Sequence, residues 1–253
     1  MKNLKNLPFV LALLVAFWPI LVQGAERPTA QALVKLADNF RQPFGGTDLK
    51  IRLKSYRDGE LHDETNYQVW ASGNEKSLVA MLDPKVRGQK VLMVPEGMWL
   101  HMPSSRRAIR ITPMQRLMGQ ASYGDITQLR FGGLYKAEFD SQNPEGTIDG
   151  VAVWHLILTA THVNATYTRI ALSVTKDAGR PLFAKYYLQS GKLLKKATYG
   201  AVQDVSGKPF INKITFADSI RANRKTVMSI HAIKEKDFAA LKFSVQTLAR
   251  WKP

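Results

Sequence analysis

Residues 49–71 read LKIRLKSYRDGELHDETNYQVWA, and their alternation decides the fold class. Ile51, Leu53 and Ser55 fall on one side of an extended chain and Arg52, Lys54 and Tyr56 on the other, the period of two of a half-buried strand. Asp58-Gly59 then supplies a residue pair that tolerates left-handed backbone, and Tyr67, Val69 and Ala71 carry the return strand. The stretch is a β-hairpin with one face meant for a core.

The same grammar continues downstream. Short strands are expected over 77–82, 90–94, 98–102 and 108–111, then over 134–139, 151–159, 165–175, 181–189, 193–205, 209–218 and 226–233. Turn residues such as Asp149-Gly150, Ser190-Gly191 and Ser206-Gly207 separate them. About a dozen strands in meander order indicate a sandwich or barrel. Upstream, residues 28–41 place Leu33, Leu36, Ala37 and Phe40 on one helical face and Lys35, Asp38 and Asn39 on the other, and Pro43, Gly45 and Gly46 end that helix. Residues 113–131 break the strand pattern; the helical spacing of Met114, Leu117 and Met118 predicts a short helix with a loop. Strands such as 151–158 are apolar on both faces, so these two helical pieces are expected to cover a curved sheet.

Lys2 and Lys5 precede a 16-residue apolar run from Leu7 to Val22, shorter than the roughly 20 residues of a spanning helix. Pro8 and Pro19 also disfavour a span, and Val22 and Gly24 place small residues before Ala25. Residues 1–24 therefore read as a cleaved signal peptide and 25–253 as a single β domain, exported to the periplasm. The chain has no Cys, so its core must be held by ordinary apolar packing. Its formal net charge is +16, with Lys2 and Lys5 contributing two of those charges. For an exported chain this charge favours anionic headgroups or acidic partners over nucleic acid, the plainer alternative being solubility.

Motifs for chemistry are absent. Five His at 62, 101, 155, 162 and 231 with no Cys give no metal-ligand pattern, so no metal or cofactor is expected. There is no G-x-S-x-G; Ser122 is the nearest imitation and reads with Tyr123, Gly124 and Asp125 as a turn fixing a loop end. No phosphate loop occurs either. Met93, Met98, Met102, Met114 and Met118 do cluster in one stretch, an adaptable lining for acyl chains or simply a malleable core.

Three strings carry a family resemblance: Gly97-Met98-Trp99-Leu100-His101-Met102-Pro103, Arg106-Arg107-Ala108-Ile109-Arg110-Ile111, and Met118-Gly119-Gln120-Ala121-Ser122-Tyr123-Gly124-Asp125-Ile126. They resemble the outer-membrane lipoprotein-sorting protein family, which belongs with the lipoprotein carriers LolA and LolB. Gly191-Lys192-Leu193-Leu194-Lys195 is similar to a later strand of that family, whereas His101 and Gln120-Ala121 depart from its pattern. The resemblance implies a highly curved antiparallel half-barrel with helices capping its concave face, a cavity for acyl chains and no catalytic residues. It also implies a role beside a lipid-exporting transporter of the resistance-nodulation superfamily.

The expected function is a periplasmic carrier of lipid or lipoprotein acyl chains that meets membrane surfaces transiently. The alternatives are a lipid-sensing or transporter-docking module that moves no cargo and, more remotely, a hydrolase without a motif. Trp99, Met114, Leu117, Met118 and Phe131 are the candidate cavity residues. Arg106, Arg107, Arg110 and Arg116 are the candidates for an anionic headgroup or a partner's acidic surface.

Overall fold

The computed structural model describes residues 27–73, 75–105, 107–112, 122–127, 130–238 and 243–251. The chain enters through helix α1 (Ala30–Arg41) and the long hairpin β1 (Gly46–Arg57) and β2 (Glu60–Ser72). Strands β3 (Lys76–Met81), β4 (Lys90–Val94), β5 (Gly97–His101) and β6 (Ile109–Arg110) follow, then helix α2 (Tyr123–Thr127). The second half comprises β7 (Tyr135–Phe139), β8 (Glu145–Ile148), β9 (Val151–Ala160), β10 (Arg169–Thr175), β11 (Pro181–Tyr187) and β12 (Leu193–Tyr199). It closes with β13 (Val202–Val205), β14 (Lys208–Ile211), β15 (Lys213–Asp218), β16 (Arg224–Glu235) and the short helix α3 (Val245–Leu248).

Fourteen strands form one antiparallel sheet in the order β6-β5-β4-β3-β2-β1-β16-β15-β12-β11-β10-β9-β7, with β8 pairing on β9. This is the curved half-barrel with helical covers. Its two ends approach through Asn164, whose amide in the β9–β10 loop donates to the carbonyls of Val94 (2.6 Å) and Pro95 (3.1 Å) in the β4–β5 turn. Three hairpins turn on the residue pairs the sequence marks. Asp58-Gly59, Asp149-Gly150 and Ser206-Gly207 all have positive φ at both positions, the type I′ geometry that matches strand twist. Two expected strands each divide in two. Residues 193–205 hold β12 and β13, residues 208–218 hold β14 and β15, and the small β13–β14 hairpin leaves the sheet to pack on α1.

Alternation assigns the two faces. Leu49, Ile51, Val69, Val79, Val91, Met93, Met98, Leu156, Ile170, Ala184, Phe216 and Met228 build the main core on the inner face, where Leu33, Val34, Ala37 and Phe40 of α1 join them. Thr29 caps α1, its hydroxyl accepting from the Ala32 amide at 3.2 Å. Two positions of α1 differ from the periodic reading: Leu36 is 42 % exposed, whereas Asp38 is buried at 3 %. A carboxylate occupies the buried face because polar partners described below receive it.

A second cluster covers the outer face at one end of the sheet. Phe243 and Leu248 from the C-terminal segment pack on Trp70, Leu78, Ala80, Leu92 and Val94, with Trp99 and Trp251 against them. Lys90 anchors this segment by donating to the carbonyls of Leu248 (2.9 Å), Ala249 (3.3 Å) and Trp251 (2.5 Å). Hydrogen bonds to a charged group contribute about 1.5–3 kcal/mol each way between made and lost. Lys90→Met should therefore release the tail while the sheet stays folded. Amide hydrogen exchange of residues 243–251 should quicken by at least about tenfold with the β1–β2 hairpin unchanged; unaltered exchange in the tail would show that its apolar side chains alone hold it.

Candidate functional site

Residues 122–127 and 130–134 cover the mouth of the half-barrel. Strand grammar fails there because the sequence changes period, and α2 results: it packs on β2, β3 and β4 from one side. From the other side Gly124 meets the β9–β10 loop so closely that a Cβ would lie 2.1 Å from the Thr166 hydroxyl. Only glycine fits that approach.

Polar groups fasten both ends of this cover to an otherwise apolar interior. At the first end Asp125 accepts from the Ser122 amide (2.8 Å), the Ser122 hydroxyl (2.9 Å) and the Tyr167 hydroxyl (2.7 Å), and it forms an ion pair with Lys195. Both ionised side chains are 5 % exposed or less. The Lys195 ammonium also lies 4.6 Å from the Phe216 ring centroid and 5.2 Å from that of Tyr167, so aromatic faces share its charge. Burial pulls the Lys195 ammonium below its ordinary pKa, and Asp125 opposes that pull. Burial likewise pushes the Tyr167 and Tyr186 phenols well up, so both remain neutral donors. The Tyr186 and Tyr199 hydroxyls bond to each other at 3.1 Å.

At the second end Asp38 of α1 accepts from the Phe131 and Gly132 amides, both at 2.7 Å. Arg41 lies 3.6 Å from Asp38 and 3.9 Å over the Phe131 ring. Arg130 donates to the carbonyls of Gln42 (2.6 Å) and Phe44 (3.3 Å). Burial raises the Asp38 pKa, against the lowering effect of Arg41 and the two amides. Two buried carboxylates, Asp38 and Asp125, thus balance two buried cations, Arg41 and Lys195, with the half-buried Arg130 beside them. Between them lies a crevice of about 10 Å³ lined by Arg41, Asp125, Phe131, Tyr167, Phe216 and Met228 among others. That is room for about one water, whereas pockets for ligand-sized molecules span roughly 300–1,000 Å³. Among the described residues this crevice has no room for an acyl chain.

The candidate residues from the sequence divide. Phe131 is 4 % exposed and lines the crevice. Trp99, on the strand expected to face inward, projects to the other face and packs with the C-terminal cluster; its neighbour Met98 takes the inner position. Alternation explains this, since adjacent residues of β5 take opposite faces. Met114, Leu117 and Met118 lie outside the described residues, as do Arg106 and Arg116. Arg107 and Arg110 are exposed at the sheet edge, and Arg110 donates to the Glu96 carbonyl at 2.6 Å, 5.7 Å from the Trp99 ring. Neither Arg107 nor Arg110 lines the crevice.

Sequence reasoning missed Asp38, Arg41, Asp125 and Lys195. A signal existed for two of them: Lys195, Ala197 and Tyr199 share one face of β12, and Asp125 is the sole carboxylate between Glu96 and Glu138. Removing one partner of a buried pair strands the other charge and costs about 3–5 kcal/mol, while replacing both by apolar groups is often neutral. Lys195→Met should therefore lower urea-denaturation stability by that amount. Adding Asp125→Leu should restore most of it, and additive losses would show that the two side chains act separately.

A family model described as that of an uncharacterized protein matches residues 73–250. No curated protein matches the chain. Among solved structures, a LolA superfamily protein from Nitrosomonas europaea is similar at 29% identity and TM-score 0.79, over 86% of this chain and 98% of that one. A DUF1329 family protein from Desulfovibrio piger has TM-score 0.70 at 19% identity, over 87% of this chain and 99% of that one. An outer-membrane lipoprotein-sorting protein domain from Vibrio parahaemolyticus has TM-score 0.70 at 16% identity, over 87% and 98%. The chain belongs to the family of the matching model and takes the fold of the LolA-like, outer-membrane lipoprotein-sorting proteins.

Proposed function

We propose that the chain is a periplasmic carrier that takes the acyl chains of a lipid or lipoprotein into its half-barrel and passes them towards the outer membrane. One observation carries this reading: a cover, residues 122–127 and 130–134, lies over an apolar inner face, sends Ile126, Phe131 and Leu134 into its core, and is fastened at its two ends by small sets of polar contacts. Such contacts lose little when broken into water, because the groups are resolvated. Each methylene buried in the opened interior contributes about 0.8 kcal/mol, so a chain of several methylenes offsets the loss of both fastenings. The lipoprotein-sorting names of the structural relatives and the leader-like residues 1–24 support the same reading. Residues 25–253 then act as one carrier domain with no catalytic step, and a resistance-nodulation-type transporter is the expected membrane partner. The closed crevice favours the second reading, a sensing or docking module that moves no cargo.

Native mass spectrometry of protein isolated from the cell envelope, with uptake of a fluorescent fatty acid, separates the two. A carrier should bring lipid with it, and Asp38→Asn, which weakens the fastening at Phe131 and Gly132, should speed probe uptake by about tenfold. Empty protein that rejects the probe in both forms would leave the docking reading.

A further inference from the structure

Charge is unevenly spread along this chain. Residues 180–253 hold fifteen Lys and Arg against four Asp and Glu, and so contribute most of the +16. The sheet register gathers part of this excess into one row on the outer face. Lys185 of β11 pairs directly with Lys196 of β12, Lys196 with Ala217 of β15, Ala217 with Lys225 of β16, and Lys225 with Tyr56 of β1. Their neighbours Ala184, Tyr186, Ala197, Phe216 and Thr226 are buried, so the row points outward, and all three lysines are exposed.

Like charges directly opposite on adjacent strands are destabilising. Among the described residues no Asp or Glu pairs with Lys185, Lys196 or Lys225. Of the carboxylates at the margins, Glu64 is paired with Arg52 and Lys54, Glu138 with Lys136 and Glu145 with Lys176, while Asp140 and Asp218 accept backbone amides of their own loops. These strands are central in the sheet, so the row runs along the crown of the half-barrel. Among the described residues the C-terminal cluster covers the outer face at the β2–β5 end. Ala171 and Ala217 leave low relief beside the lysines, and the Tyr56 ring lies 5.1 Å from the Lys225 ammonium.

We infer that this row docks the protein on an anionic lipid surface, its lysines meeting phosphate headgroups. A ridge of ammonium groups on long stems suits a plane of delocalised negative charge, with the grooves that hold Asp58 and Asp218 beside Lys225, and Asp140 and Glu145 beside Lys185, flanking it. The inference does not depend on what the interior carries, and empty vesicles test it. Flotation with phosphatidylglycerol-containing vesicles should show binding that falls with added salt, and pure phosphatidylcholine vesicles should bind little. With each lysine near the surface worth about 1 kcal/mol, Lys185→Gln, Lys196→Gln and Lys225→Gln together should weaken partitioning about a hundredfold. Lys196→Gln alone should weaken it about fivefold, which keeps the test sound if the triple variant folds poorly. A charge-matched control, Lys35→Gln with Lys85→Gln and Arg87→Gln, should change it far less. Equal loss in that control, equal binding to both vesicle types, or retention on an immobilised acidic polypeptide with none on vesicles would each overturn the assignment.

Discussion

Asp125 and Lys195 stand against each other as a buried ion pair inside a box of aromatic rings. Removing the cation strands a buried carboxylate, and α2 loses part of its attachment to the second half of the sheet. The rest of the closed state follows from this pairing. Gly124 can press on the β9–β10 loop only while α2 is seated, and the same loop supplies Asn164 to join the two ends of the sheet. Asp38 repeats the device at the other end of the cover, with backbone amides in place of tyrosine. Burying ions here is a poor route to stability, since apolar replacements do as well. It is a good route to a cover that rests in one position and can leave it.

The two faces of the sheet divide the molecule's contacts. In β12, Lys195 turns in to hold the cover while Lys196 turns out to the basic crown. One residue of offset, the smallest step a strand allows, separates an internal fastening from an external contact surface. In β5 the same step separates Met98 in the core from Trp99 beneath the C-terminal segment.

Local signals made most of the fold legible. The alternation over 49–71 predicts β1 and β2, and the Asp-Gly and Ser-Gly pairs predict the turns, because both depend on residues near in sequence. The β13–β14 hairpin is not separable from its neighbours by sequence because Val202 to Ile211 continue their alternation, and what turns them away is packing on α1. The candidate site was less legible for the same reason. Asp38 partners residues 131 and 132, and Asp125 partners residues 167 and 195, separations that only the folded sheet closes. Helical period put Asp38 on the solvent side, and no local rule announces that two backbone amides await it.

The central claim is that the cover moves to admit cargo. The chain has no Cys, so spin labels can be placed at will, one at Tyr123→Cys, the first residue of α2, and one at Val163→Cys in the exposed tip of the β9–β10 loop. Pulsed electron resonance should report a single short separation in the empty protein and a shift to longer separations when a long-chain fatty acid is bound. Bound fatty acid with the distance distribution unchanged would contradict the account.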